Sequence, residues 1–148
     1  MQFKFLAALV CGVLMLTSSL CMAAVDGGKI SIGSIYPGMS VQELIKTCGQ
    51  PLSKDRNGDD WQYQNFEIEV EGNVVEEIST RSSTIATPDG VRVGQAAEVL
   101  NSTFGTADKF KTDSDGVEYK YFSTDGMKEI EFKVVNGVIA KITCSLRD

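Results

Sequence analysis

Sliding the sequence by 56 positions lays residues 38–66 over residues 94–122, where Gly38, Leu44, Thr47, Gly49, Asp59, Tyr63 and Phe66 meet identical partners. Beyond that point a shift of 64 brings Glu67, Val70, Val74 and Ile78 onto Glu131, Val134, Val138 and Ile142, for eleven identities in 43 pairs. Most of these are glycines and apolar residues, the positions a repeated backbone needs. The expectation is an internal duplication, in which one supersecondary unit is made twice and the copies bury their apolar sides together.

Each unit opens with a helix. Ser40 and Glu43 have the S-x-x-E spacing of a capping box, which satisfies free N–H groups of a first turn. Val41, Leu44, Ile45 and Cys48 follow at i, i+3, i+4 and i+7, a single apolar stripe. Gly49 suits the left-handed residue after the last turn, and Pro51 prevents continuation. In the second unit Ala97, Leu100 and Phe104 keep the stripe and Gly105 the stop. Ala96 replaces the capping serine there, so that start should be looser.

Strands come next. Phe66, Ile68 and Val70 alternate with Glu67, Glu69 and Glu71, while Ile130, Phe132 and Val134 alternate with Glu129, Glu131 and Lys133. Period-two patterning of this kind describes an antiparallel sheet with one wet face. "EGNV" (71–74) and "VNGV" (135–138) read as hairpin turns, because Asn and Gly tolerate positive φ. "STDGMK" (123–128) adds a hairpin in the second unit alone. The fold class is therefore α+β: two tandem helix-plus-antiparallel-strand repeats, with the helices on one face of the sheet. Residues 25–80 form the first repeat, 81–93 a polar connector with a Pro-Asp-Gly turn, and 94–148 the second.

Residues 1–24 read as an export signal: Lys4 is the only charge, an apolar run follows, and the segment ends in small residues. Cleavage is expected before Ala24 or Val25, and the compartment is extracytoplasmic, whether periplasmic, cell-surface or secreted. Retention as an anchor and lipidation at Cys21 are the competing readings; Leu20 is a poor residue to precede a lipidated cysteine. The remainder carries 13 Lys and Arg against 20 Asp and Glu. Such a balance disfavours nucleic acid and anionic membrane surfaces, and membrane contact is not expected after cleavage. It permits a basic protein partner.

"PGMSVQELIKTCGQP" followed by "WQYQNFEIEVEGNVVEEI" resembles the tandem fold of the β-lactamase-inhibitor-like proteins and of the small outer-membrane assembly lipoproteins of the SmpA/OmlA type. Gly38-Met39-Ser40, Gly49 with Pro51, Trp61 with Tyr63, and Val74-Val75 carry the resemblance; the second copy keeps Gly94, Gly105 and Tyr119. It implies an exported binding module without catalytic activity, gripping a partner through an open sheet face. An envelope structural or assembly accessory is the alternative it also suggests.

Counted straight through the strand, Trp61 and Tyr63 share odd parity with Glu67, Glu69 and Glu71, as Tyr119 and Tyr121 do with their own strand. That places all seven on the face away from the helices, where aromatics suit protein binding. A break at Asn65 would instead turn the rings into core. The glutamates at 67, 69, 71, 76 and 77 make an acidic patch, whereas the second copy has Lys133 and Lys141 at aligned positions; asymmetric docking and a merely solvated face are both open.

Cys48 and Cys144 both point inward by pattern, so a bridge between the copies and two buried free thiols are both open. "DRNGDD" (55–60) and "TDSDG" (112–116) lack the spaced ligands of a calcium loop and read as turns, so a calcium or small-ligand domain ranks third. No metal or other cofactor is expected, since the chain has no histidine. No nucleophile elbow and no phosphate loop are present, so catalytic residues are not expected either.

Overall fold

The computed structural model describes residues 24–148, so the expected export signal, apart from Ala24, lies outside the described residues. Ten elements follow the single turn of 3-10 helix at Gly27–Lys29: α1 (Val41–Cys48), β1 (Ser53–Lys54), β2 (Asp60–Gln62), β3 (Glu67–Glu71), β4 (Val74–Thr80), α2 (Glu98–Phe104), β5 (Lys109–Asp113), β6 (Gly116–Phe122), β7 (Lys128–Val135) and β8 (Val138–Leu146). The strands form one antiparallel sheet ordered β1-β2-β3-β4-β8-β7-β6-β5. The class is α+β, dominated by the sheet. No described helix is long and apolar enough to cross a membrane.

The helix ends follow the sequence closely. Ser40 Oγ accepts the Glu43 N–H at 3.1 Å. The return half of the capping box is not made: Glu43 instead accepts the Tyr36 hydroxyl at 3.1 Å. Without a capping side chain, α2 starts at Glu98, one residue later than the position matching Val41. Each helix start is clamped to a hairpin tip. Val41 N–H donates to the Asn73 carbonyl at 3.0 Å, and Ala97 N–H to that of Gly137 at 2.9 Å. Just upstream, Gly38 and Gly94 reach the Val75 and Ile139 carbonyls at 2.7 and 2.8 Å. Both do so with φ near +90°, at +89° and +94°, which is costly for any residue with a Cβ.

Antiparallel partners share a face, so the pairing identifies the core. Trp61, Ile68, Ile78, Cys144, Ile130 and Tyr121 lie directly opposite one another in sequence across six strands. All six are buried, and with Leu44, Leu100 and Phe104 of the helices they belong to one cluster. Phe104 packs on Tyr121 and Phe132 with ring centroids 5.2 and 5.3 Å away. The segment before α1 adds Ile30, Ile32 and Ile35 to the same cluster, a contribution that periodicity did not single out.

Both long hairpins carry a register shift: between Glu69 and Val70 in β3–β4, and between Lys133 and Val134 in β7–β8. The shift changes which valine points inward. Val75 and Ile139 fill the core, while Val138 is exposed and Val74 half-buried, contrary to an uninterrupted alternation through Val74 and Val138. A bulge inserts one residue and flips every side chain beyond it.

The two cysteines are free. The disulfide open on sequence grounds is thus not formed: Cys48 ends α1 half-buried, whereas Cys144 lies mid-sheet between Ile78 and Ile130. Burial pushes both thiols above their ordinary range, Cys144 most. In the chain lacking residues 1–23, thiol titration without reductant is expected to give slow reaction at Cys48 alone in the native state and two thiols after unfolding. Fewer than two in denaturant would contradict the free pair.

Candidate functional site

The face opposite the helices is polar apart from Phe122, whose ring lies under the Arg147 guanidinium at 3.7 Å. Gln62, Glu67, Ser79, Thr143, Glu131, Lys120 and Lys109 lie opposite one another in an unbroken row. A second row runs Asp60, Glu69, Glu77, Ser145, Glu129 and Phe122. In the first row the central strands β4 and β8 contribute the short hydroxyl side chains Ser79 and Thr143, while β4 also carries Glu77 and β8 Lys141 on this face. Around Ser79 and Thr143 the first row dips into a shallow trough between long charged side chains.

The two ridges differ in their electrostatics. On the β6–β7 side, Lys120 Nζ stands 2.9 Å from both Glu129 and Glu131, and Arg147 pairs with Glu129 at 3.5 Å. Burial works against the charge on Lys120, but its hydrogen bonds to both carboxylates hold the ammonium well above its ordinary range. Lys133 is engaged with Asp115 at 3.1 Å and Glu118 at 3.2 Å. On the β2–β4 side the one described ion pair is Arg81–Glu67 at 3.6 Å, with both side chains solvent-exposed. Glu77 is half-buried there, and burial lifts its carboxyl above the usual range; Lys141 opposes this while Glu69 and Glu131 reinforce it.

Of the residues expected to bind on sequence grounds, Glu67, Glu69 and Glu71 do occupy the open face, all exposed. The aromatics do not. Trp61 is 4% exposed and Tyr121 1%, and both lie on the helix side, opposite Ile68 and Ile130. The reason is a reversal at Gln64–Asn65, where Tyr63 N–H bonds the Phe66 carbonyl at 3.0 Å. A two-residue turn resets parity, so Trp61 faces with Ile68 and not with Glu67. Trp61 Nε1 donates to the Gly58 carbonyl at 2.7 Å, and Lys54 Nζ lies 3.6 Å from the ring centroid.

Tyr63 is half-buried and stacks on Phe66 at 4.6 Å. Its hydroxyl donates to the Gly49 carbonyl at 3.0 Å, as Tyr121 does to Gly105 at 3.3 Å. These contacts match Tyr63 with Tyr121, two residues away from the partner that a shift of 56 assigns. Burial pushes the Tyr121 phenol up to about 12. Tyr119 stands on the helix side against Phe110. Phe110, 61% exposed on the edge strand, opens a groove of about 420 Å³ with Leu100, Tyr119 and Tyr121.

The expected turn loops serve as turns. Asp55 accepts the N–H groups of Gly58, Asp59 and Asp60 at 2.8, 2.9 and 3.1 Å. These bonds hold its carboxyl below the usual range. Among the described residues no three acidic or cysteine side chains stand close enough to share a metal ion.

No protein-family profile matches the chain. No curated protein matches it either. Two solved structures do resemble it in fold. One is a DUF4309 family protein (YjgB) from Bacillus subtilis, at TM-score 0.55 and 15% identity, covering 73% of this chain and 78% of that one. The other is an extracellular protein containing a SCP domain from Bacillus anthracis, at TM-score 0.54 and 9% identity, covering 74% of this chain and 43% of that one. At these identities the likeness concerns the fold.

Sequence reasoning missed Ser79, which lines the depressions on this face, and Thr143, which stands opposite it on the neighbouring central strand. The available signal was small hydroxyl residues at outward parity in the two central strands.

Proposed function

We propose that this protein is an exported, non-enzymatic binding module that grips a protein partner through the open face of its sheet, in the manner the resemblance to β-lactamase-inhibitor-like proteins implies. In this reading the two halves are copies of one helix-plus-strands unit, joined along β4 and β8 so that their helices share one side. The recurrence of the helix clamps and of the bulge positions supports that history. The leader at residues 1–24 and an extracellular protein of similar fold favour export.

The observation that carries the reading is the charge asymmetry of the open face. Its β6–β7 ridge is internally neutralised, while the β2–β4 ridge presents Asp60, Glu69 and Glu77 with no ion pair among the described residues. Complementary charge steers association and sets register, so the partner presents a basic surface. The sequence has no histidine, no nucleophile elbow and no phosphate loop, which supports binding without catalysis.

A photoreactive residue in place of Thr143, at the centre of the trough, is expected to yield a discrete protein adduct in the native envelope. The same residue in place of exposed Asn101 on α2 should not. Equal labelling from both positions, or none from position 143, would refute the open-face reading; an adduct with outer-membrane or wall scaffold material would move the assignment to an assembly accessory.

A further inference from the structure

The two edges of the sheet are finished differently. At one, β1 is two residues long, and Lys54 covers the Trp61 ring behind it, 3.6 Å from the centroid. At the other, β5 runs for five residues with Phe110 61% exposed among them, and no described strand pairs with its outer side. Natural sheets shorten or cover such an edge, because its unpaired N–H and C=O groups are a template for another strand.

The register shows which groups are free. Asp113 and Gly116 close a hairpin of two turn residues, so they exchange hydrogen bonds, and by alternation Lys111 does so with Glu118. Phe110 and Thr112 lie between these pairs, and their N–H and C=O groups point off the edge. Depressions flank the same edge on both sides. On the helix side lies the groove of about 420 Å³ beside Phe110 and Tyr119. On the open side a hollow of about 290 Å³ is bordered by Lys109, Lys111, Lys120 and Glu118. Lys120 is held by Glu129 and Glu131, and Glu118 by Lys133. Lys109 makes no ion pair among the described residues, and Lys111 pairs with Asp113 of its own strand at 3.0 Å while staying solvent-exposed.

We infer that β5 accepts an extended segment of a partner protein as a further antiparallel strand, with acidic and apolar residues alternating along that segment. Backbone hydrogen bonds to Phe110 and Thr112 hold it in place. Residues opposite one another on antiparallel strands share a face. Its apolar side chains therefore stand beside Phe110 and enter the groove, while its carboxylates stand opposite Lys109 and Lys111. A second copy of this chain does not fit, because two β5 strands side by side set four lysines against two aspartates. This edge is separate from the acidic β2–β4 side of the open face, and its occupant carries the opposite charge.

The test is a 15N NMR titration of the chain lacking residues 1–23 with the capped peptide Glu-Leu-Glu-Val-Glu, and with Lys-Leu-Lys-Val-Lys as the opposite probe. Shifts are expected to concentrate at residues 109–113, with amide exchange slowed at Phe110 and Thr112. Lys109→Gln combined with Lys111→Gln should weaken the acidic peptide by about threefold or more, whereas Lys46→Gln, at an exposed position on α1, should not. Phe110→Ala should weaken it without removing a charge, which diffuse attraction could not reproduce. N-methylation of the peptide's leucine and valine amides, the donors to the Phe110 and Thr112 carbonyls, should abolish binding. Equal binding of the methylated peptide or of the lysine peptide would overturn the strand addition, as would shifts centred away from residues 109–113 or no shift at all.

Discussion

Replacing Trp61 by alanine is expected to destabilise the protein by about 3–5 kcal/mol, the usual cost of truncating a large aromatic in a core. The ring is 4% exposed and bonded to the Gly58 carbonyl at 2.7 Å. Truncation leaves a cavity beside Ile68, strips the Gly58 carbonyl of its donor, and removes the ring over which the Lys54 ammonium stands. Trp61→Phe separates these effects: it keeps most of the volume and loses the hydrogen bond, at about 1 kcal/mol. Urea unfolding followed by circular dichroism measures both. The outward parity read directly from sequence expects the opposite, a native midpoint with partner binding lost. An alanine variant as stable as the wild type would restore that reading and remove Trp61 from the core.

The second large effect is expected at Gly116, which opens β6 with φ at +143°. A Cβ added there would run into the Val134 carbonyl oxygen, with Val135 and Lys133 also tight against it. Gly116→Ala therefore meets backbone, which cannot rotate away as a side-chain tip can. Left-handed or otherwise strained backbone alone costs about 1–3 kcal/mol. Displacement of the β6–β7 ladder at Val117↔Val134 adds to that. Gly137→Ala is the internal comparison, because that residue has φ at +75° but nothing within 4 Å of an added Cβ. It should cost about 1–2 kcal/mol. The two midpoints should differ clearly, and equal midpoints would mean that Val134 does not approach Gly116 as closely as described.

Local signals in the sequence were faithful where one residue determines one feature. Gly49 and Gly105 end both helices, Ser40 caps the first, and the Gly72–Asn73 and Asn136–Gly137 pairs adopt the positive φ their hairpins require. Signals that require counting across a break were not. The outward count for Trp61 failed at the turn at Gln64–Asn65, the break that the core alternative required, and the bulges exchanged Val74 for Val75 and Val138 for Ile139. Nothing in a period-two pattern announces where an extra residue is inserted, since the bulge is stabilised by the partner strand. The glutamates of the open face were legible because exposure is the default for a charged residue in a strand. The depression beside Ser79 was not, because its lining comes from β2, β3, β4 and β8, which are brought together only by the sheet.

The clamps between hairpin tips and helix starts also bear on how the chain reaches this structure. Each joins residues a few tens apart, 41 with 73 and 97 with 137, so both can close early. The β4–β8 ladder pairs Ile78 with Cys144 and gains nothing until two separate hairpins exist. Until then β4 and β8 are bare edges with apolar backs, the kind of surface that pairs with other chains. The interval before these two strands meet is when the chain is most exposed to aggregation.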